Sequence, residues 1–281
     1  MIRIAALTLL ELVRRRFILC AAVATAAIVG SSAWAFVYLS HLRRDGAPIS
    51  HLEMLGISAV LTVLMAYLFS FVLAIAAVFL AAPSFANDIE SGVLLPVLAR
   101  PISRTSIIAG KAAAFVVVMC VYTLAAAGCE FAAIDAITGY LPPDPVAAIG
   151  YLCLLNAVML ALAIALSTRL SAIASSIVAL CAFALAWMGG IAQSLGIFYA
   201  NGTVEDAGTI TQLLVPTDAM WRAAVYRLEP VSAIASFGQA HVWPGPFFVL
   251  SPPPAPLIWW TIGWIVVVFA VAARSFTLRD L

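Results

Sequence analysis

Long apolar runs dominate this chain, and short polar connections separate most of them. A helix needs about 20 predominantly apolar residues to cross the hydrocarbon core of a membrane. Six segments qualify, and they are 17–40, 57–82, 106–129, 147–168, 172–195 and 256–274. The pattern predicts an all-α, polytopic membrane protein with six transmembrane helices in a single domain, 1–281.

The segment before the first span has its own amphipathic pattern. In 1–16, one helical face carries Ile2, Ala5, Ala6, Leu9 and Val13. Such a helix is expected to lie along the inner membrane surface, although a plain extension of the first span would also fit. A cleavable signal peptide is a further alternative for the first apolar run, but the run continues through 37–39 and is long enough for a full span.

A second amphipathic pattern lies in the long stretch between spans five and six, 196–255. Pro216 precedes it and Pro230 ends it. Its apolar stripe is formed by Met220, Trp221, Ala224, Val225 and Leu228. We expect a helix on the outer membrane surface, in which Asp218 and Arg222 form an i,i+4 ion pair. Trp259, Trp260 and Trp264 then predict an aromatic belt that anchors span six.

The distribution of basic residues predicts the orientation of the spans. With both termini inside, the inner basic residues are Arg3, Arg14, Arg15, Arg16, Arg100, Arg104, Lys111, Arg169, Arg274 and Arg279. The outer ones are Arg43, Arg44, Arg222 and Arg227. Basic residues accumulate in cytoplasmic loops. We therefore expect both termini in the cytoplasm of a bacterium, with the chain in the inner membrane.

Composition and charge exclude several function classes. The 281 residues are 65% hydrophobic and 10% charged, which excludes a soluble globular domain. A net charge of +1 gives no basic field for nucleic acid. The sequence contains no P-loop motif, so we expect no ATP site in this chain. The middles of the spans carry no ionisable residue, which argues against a self-powered transporter. The scattered cysteines and histidines predict no metal site and no cofactor in this chain.

The inner connection between spans two and three, 83–105, carries the most informative local signals. Asp88 is expected to cap a short helix, with Glu90 in its first turn. The apolar face of this helix would comprise Ile89, Val93, Leu94, Val97 and Leu98. Arg100 and Pro101 would end it, and Ser103 would cap the third span. The face would dock in a groove on another protein or, alternatively, lie on lipid headgroups. Lys111, near the inner end of span three, is expected to extend towards the headgroups.

This connection resembles the permeases of the ABC type-2 family. The matching residues are Glu90-x-Gly92, then Ala99-Arg100-Pro101-Ile102-Ser103-Arg104, and the later Gly110-Lys111. Two residues depart from the family pattern, because Val93 stands where Thr is usual and Pro96 where Leu is common. The six spans, the basic amphipathic start and the long outer segment are similar too. The membrane subunit of the nitrous-oxide-reductase maturation transporter is one family member with this layout.

The resemblance implies a coupling helix, through which two permease copies would each dock on a cytoplasmic ATPase subunit. ATP and Mg would then be bound by that partner subunit. The coupling residues would be Asp88, Glu90, Gly92, Leu94, Leu95, Arg100, Pro101 and Arg104. The chain would be a permease subunit that exports an unidentified substrate, in contact with membrane lipids and with an extracytoplasmic accessory protein as a further candidate partner. Two alternatives stay open: a membrane scaffold that recruits a soluble complex without transport, and a membrane-embedded enzyme.

Overall fold

The computed structural model of the protein describes residues 6–9, 16–41, 43–44, 47–48, 51–90, 103–229, 245, 247–249 and 251–278. The elements of these residues are α1 (Arg16–Ser40), β1 (Arg43–Arg44), β2 (Ala47–Pro48), α2 (His51–Glu90), α3 (Arg104–Thr138), α4 (Pro145–Ser167), α5 (Ala172–Phe198), α6 (Gly202–Leu214), α7 (Thr217–Leu228) and α8 (Ala255–Thr277). The two short strands pair in antiparallel fashion between α1 and α2. Six of these helices, α1 to α5 and α8, are long and apolar enough to cross a membrane. The predicted fold class is confirmed.

Contacts at the two ends of the bundle show that the six long helices alternate in direction. At one end, Phe36 of α1 packs with Ile134 of α3 and with Tyr140 just after it. At the other end, Phe85 of α2 contacts Phe276 of α8. We call the first the far end and the second the hinge end. An even number of alternating spans places the start of α1 and the end of α8 together at the hinge end.

The burial of the spans separates a centre from a periphery. Within an apolar stretch of 18 residues, 56% of the residues of α2 and of α4 are buried inside the bundle, whereas only 11% are in α1 and in α8. The exposed side chains of the outer helices are large and apolar, as at Trp34 in α1 and at Val266 in α8. In a membrane such a surface is solvated by lipid and needs no polar covering.

Local sequence signals fix where α3, α4 and α5 begin and where α3 ends. The side chains of Ser103, Asp144 and Ser171 each accept a hydrogen bond from a backbone N–H in the first turn of α3, α4 and α5. These caps satisfy donors that the helix itself leaves unpaired. At the far end, α3 terminates at Gly139, whose φ of 69° lies in the left-handed region that favours glycine. The predicted capping role of Ser103 is confirmed.

Helix α6 runs back along α5, and the sequence analysis did not predict it. Its close approach depends on glycine, because a Cβ at Gly208 would overlap the backbone of Gln193 and one at Gly196 would overlap the backbone of Glu205. Asn201 caps α6 by accepting from the N–H of Val204. The segment has only a short, mixed apolar and polar face, which explains why periodicity alone did not reveal it.

Helix α7 begins and ends where the two prolines predicted, but its predicted place on the membrane surface is wrong. Its apolar stripe is buried inside the bundle, with Met220 and Val225 completely covered and Trp221 only 3% exposed. It packs against α2, α4 and α5. Together α6 and α7 form a helical hairpin that enters the bundle from the far end, and the stripe fills the core rather than contacting lipid.

The connection predicted as 83–105 is shorter in the structure. Helix α2 continues through Pro83 and ends at Glu90, and α3 begins at Arg104. Pro83 removes one backbone donor, which neighbouring helices can compensate within a membrane bundle. The prediction that Asp88 begins a new helix is therefore wrong, because Asp88 lies in the last turn of α2.

Candidate coupling site and the polar network of the hairpin

A buried ion pair joins α2 and α3 at the hinge end. The Lys111 ammonium binds the carboxylate of Asp88 and also donates to the backbone carbonyl of Ser84 at 3.2 Å. The Lys111 side chain is 7% exposed and that of Asp88 is 21% exposed. The prediction that Lys111 extends towards the headgroups is wrong, because its charge is neutralised inside the bundle. The pair ties together the two helices that flank segment 91–103.

Aromatic packing connects this ion pair to the last span. The Lys111 ammonium lies 5.6 Å from the ring centre of Phe85, and that ring meets Phe276 edge to face at 5.5 Å. Phe85 and Phe276 are both almost fully buried. Cation–π and edge-to-face contacts each add about 0.5–1.5 kcal/mol beyond simple burial. The end of α8 is therefore packed directly onto the helix pair that carries the hinge.

Two arginines hold the carboxyl end of α8. Arg104 donates to the carbonyls of Phe276 at 3.5 Å and Thr277 at 3.3 Å. Arg169, just after α4, donates to the hydroxyl of Ser275 at 2.8 Å and to its carbonyl at 3.4 Å. Cations at a helix carboxyl end satisfy its unpaired carbonyls and interact favourably with the helix dipole. Four spans, α2, α3, α4 and α8, thus meet at the hinge end.

The predicted coupling residues fall into two groups. The structure places Asp88 in α2, Glu90 at the last position of α2 and Arg104 at the first position of α3. The others lie outside the described residues, and they are Gly92, Leu94, Leu95, Arg100 and Pro101. Their role in coupling therefore stays a prediction. The sequence analysis missed Lys111 and Arg169 as partners at this site, since pairing between distant spans leaves no local pattern.

A polar network links the hairpin to α5. Asp218 accepts from Arg222 Nε at 2.6 Å and from Gln212 Nε2 at 3.1 Å. The Gln212 amide also donates to Gln193 of α5 at 2.7 Å, and Gln193 donates to Thr209 at 2.9 Å. The predicted pair of Asp218 and Arg222 is confirmed. Burial raises the pKa of Asp218, while the Arg222 guanidinium and the Gln212 amide oppose this shift.

A second polar contact closes the far end of the hairpin. Glu229 follows α7 and accepts from the N–H of Val249 at 2.9 Å. Burial raises the pKa of Glu229 to about 8, and the hydrogen bond from Val249 only partly offsets this effect. Tyr140 donates to the carbonyl of Leu228 at 2.8 Å. Burial and the nearby charge of Glu229 raise the pKa of Tyr140 to about 12.

Glu130 lies within the third span, α3. It is eight residues before the end of α3, about 12 Å along the helix axis. It lines a small cavity of about 20 Å³ together with Thr25 of α1 and Thr62 of α2. An ionisable side chain at such a depth is uncommon in a membrane bundle, and both carboxylate oxygens of Glu130 are buried without a hydrogen bond from the described residues.

Comparison with known proteins agrees with this architecture. Residues 4–281 match the family described as ABC-2 family transporter protein. The chain therefore belongs to that family, and it is a multi-pass membrane protein of the permease class in ABC transporters. Membrane subunits of this family work with ATP-binding subunits and are typically not catalytic themselves. A search among curated proteins found no match.

Proposed function

We propose that the protein is the membrane half of an exporter and that it works as a homodimer with two cytoplasmic ABC ATPase subunits. The ATPase subunits would bind ATP and Mg. Both termini of the chain would lie in the cytoplasm of a bacterium and the bundle in its inner membrane, as the positive-inside bias favours. The closer likeness to the membrane subunit of the nitrous-oxide-reductase maturation transporter stays a prediction.

The observation that carries this proposal is the way both flanks of segment 91–103 are fixed to the bundle. On one flank Asp88 is paired with Lys111, and on the other Arg104 holds the end of α8. A force applied to the segment would reach α2, α3 and α8 directly, since packed interfaces transmit displacement rather than absorb it. This is the mechanical property that a coupling segment needs.

The basic side chains of the hinge end also suit this role. Lys111 is neutralised by Asp88, while Arg104 and Arg169 are engaged by carbonyl and hydroxyl oxygens. The two guanidinium groups are thereby held in fixed positions at the hinge end. They would attract an acidic surface on a partner from the cytoplasmic side and speed its association.

The test is purification of the tagged full-length protein from its native membranes in a mild detergent. We expect a subunit with ABC ATPase motifs to copurify in equal amount and to hydrolyse ATP. Charge reversal at two predicted coupling residues, Glu90→Lys together with Arg100→Glu, should reduce assembly or ATP turnover at least several-fold. A matched control reverses an exposed charge at the far end, Asp206→Lys in α6, and should leave both unchanged.

Two results would contradict the proposal. Unchanged assembly and turnover in the hinge variant would show that segment 83–105 does not couple the subunits. A stable complex that shows no ATP-dependent accumulation of any compound in inverted membrane vesicles would favour the scaffold alternative. Accumulation inside such vesicles, whose cytoplasmic face points outward, would establish the outward direction.

A further inference from the structure

A large cavity lies at the far end of the bundle, between the hairpin and the start of the last span. Its volume is about 680 Å³, within the range of sites that bind drug-sized ligands. Parts of α5, α6, α7 and α8 form its walls, together with the residues that lead into α8. None of the contacts at the hinge end reaches this cavity, so it is separate from the candidate coupling site.

The lining of the cavity contains a cluster of polar side chains and a larger set of apolar ones. The polar cluster comprises Gln193, Thr209, Gln212 and Arg222, which belong to the network of the hairpin. The apolar set includes Leu213, Val249, Leu257 and Trp260, together with prolines at the start of α8. A wall of this kind matches a molecule with a compact polar head and a hydrocarbon body.

The charge on the wall indicates the sign of that head. Among the described lining residues Arg222 is the one charged side chain. Its Nε is bound to Asp218, and 12% of its side chain remains exposed where the residue lines the cavity. An oxyanion in the cavity would accept a charge-assisted hydrogen bond from the exposed part of this guanidinium group.

The rim of the cavity provides a route for hydrocarbon chains. Ile197 and Phe198 of α5 and Leu213 of α6 are lining residues that are also strongly exposed on the surface of the bundle. Trp260 of α8 spans the rim, because its indole N–H donates to the carbonyl of Leu213 at 3.0 Å. Exposed apolar side chains in a membrane bundle face lipid, so chains of a bound molecule can extend from the cavity into the bilayer.

We propose that this cavity binds an anionic amphiphile, with its oxyanion on Arg222 and its hydrocarbon chain along the wall of Leu213, Leu257 and Trp260. The molecule is either an anionic phospholipid of the membrane itself or an anionic amphiphile brought as cargo. The binding is a property of this chain alone and does not rest on the proposed function. Loss of ATPase coupling would therefore leave it intact.

Photolabelling of the purified full-length protein in a neutral detergent tests the proposal. The probes are phosphatidylglycerol and phosphatidylcholine that carry the same diazirine acyl chain, and mass spectrometry of peptides locates the label. We expect phosphatidylglycerol to label α5, α6 and the start of α8 at least about fivefold more than phosphatidylcholine does. Analysis of the lipids that copurify with the protein from native membranes then distinguishes the two sources. A copurified anionic phospholipid identifies the occupant as a membrane lipid, and a different anionic amphiphile identifies it as cargo.

Two kinds of variant distinguish binding of the polar head from binding of the hydrocarbon chain. Arg222→Gln should abolish the preference for phosphatidylglycerol, and Arg222→Lys should restore part of it. Leu213→Trp should narrow the cavity and reduce labelling several-fold without touching the ion pair. Its control is Ile210→Trp, another exposed apolar position on α6, which is not among the lining residues of the cavity.

The elution profile and the melting temperature show whether Arg222→Gln folds. If it does not fold, the comparison of Leu213→Trp with Ile210→Trp tests whether the lipid binds in the cavity. The proposal is wrong if the two lipids label equally, if the label lies on the outer faces of α1 or α8, or if Leu213→Trp and Ile210→Trp behave alike.

Discussion

At the scale of single residues, two buried ionisable groups are stabilised in different ways. Asp88 and Lys111 come from different spans and neutralise each other at the hinge end. Among the described residues Glu229 has no cation as a partner, and one backbone N–H holds it instead. The first arrangement depends on pairing, because an ion inside a low-dielectric bundle is costly alone. The second depends on pH, because protonation removes the charge.

Removal of one member of the hinge-end pair should destabilise the protein. Lys111→Met leaves the Asp88 carboxylate partly buried without its cation, and we expect a loss of about 1–3 kcal/mol. The combined variant Asp88→Asn with Lys111→Met should recover part of that loss. Thermal unfolding in detergent measures both. The matched control is Arg227→Met, which breaks a pair whose side chains are each 43% exposed and should cost under about 1 kcal/mol. Equal losses at the two sites would show that burial does not determine the effect.

The contact of Glu229 should make the far end sensitive to pH. A carboxyl whose pKa is raised in the folded protein binds more protons there than in the unfolded chain, so stability falls as pH rises towards about 8. We expect the melting temperature to be lower near pH 8.5 than near pH 5.5. In Glu229→Gln the amide oxygen can still accept from Val249, and the part of this difference due to Glu229 should disappear. A pH dependence that is the same in both proteins would contradict this assignment.

At the scale of elements, the hairpin of α6 and α7 shows what a periodic pattern predicts and what it does not. The boundaries of α7 follow from Pro216, Asp218 and Pro230, and the sequence predicted them correctly. The predicted environment of α7 was wrong, because an apolar stripe is equally compatible with a lipid surface and with a protein core. Only the neighbouring helices decide between the two, and their arrangement is a tertiary property.

The close packing of α6 on α5 should depend on the absence of a side chain at residue 208. Gly208→Val would push a branched side chain against the backbone at Gln193, and overpacking of this kind costs about 1–3 kcal/mol. We expect a lower melting temperature and loss of photolabelling in the cavity. Gly263→Val in α8 is the control, since a Cβ there meets nothing within 4 Å. The packing explanation fails if both variants unfold at the same temperature.

At the scale of the whole molecule, composition was sufficient to predict the six spans, and the cap at Ser103 was sufficient to predict the start of the third. Inside lipid every backbone N–H and C=O group needs a hydrogen bond, and a long apolar helix makes these bonds within its own segment. The sequence could not reveal that Arg104, Arg169 and Ser275 meet, because they come from three different spans. The sequence predicted that the coupling residues lie on one connection, but it did not predict the contacts that fix that connection to the bundle.

The anchoring of the last span has a practical consequence for labelling. Since Thr277 lies within hydrogen-bond reach of Arg104, anything fused after α8 starts near the proposed docking surface. A bulky fluorescent protein fused there would compete sterically with an incoming ATPase, whereas a small dye would report its arrival by quenching. The turn around Pro143, at the opposite end of the bundle, is the place where a large reporter would leave that encounter undisturbed.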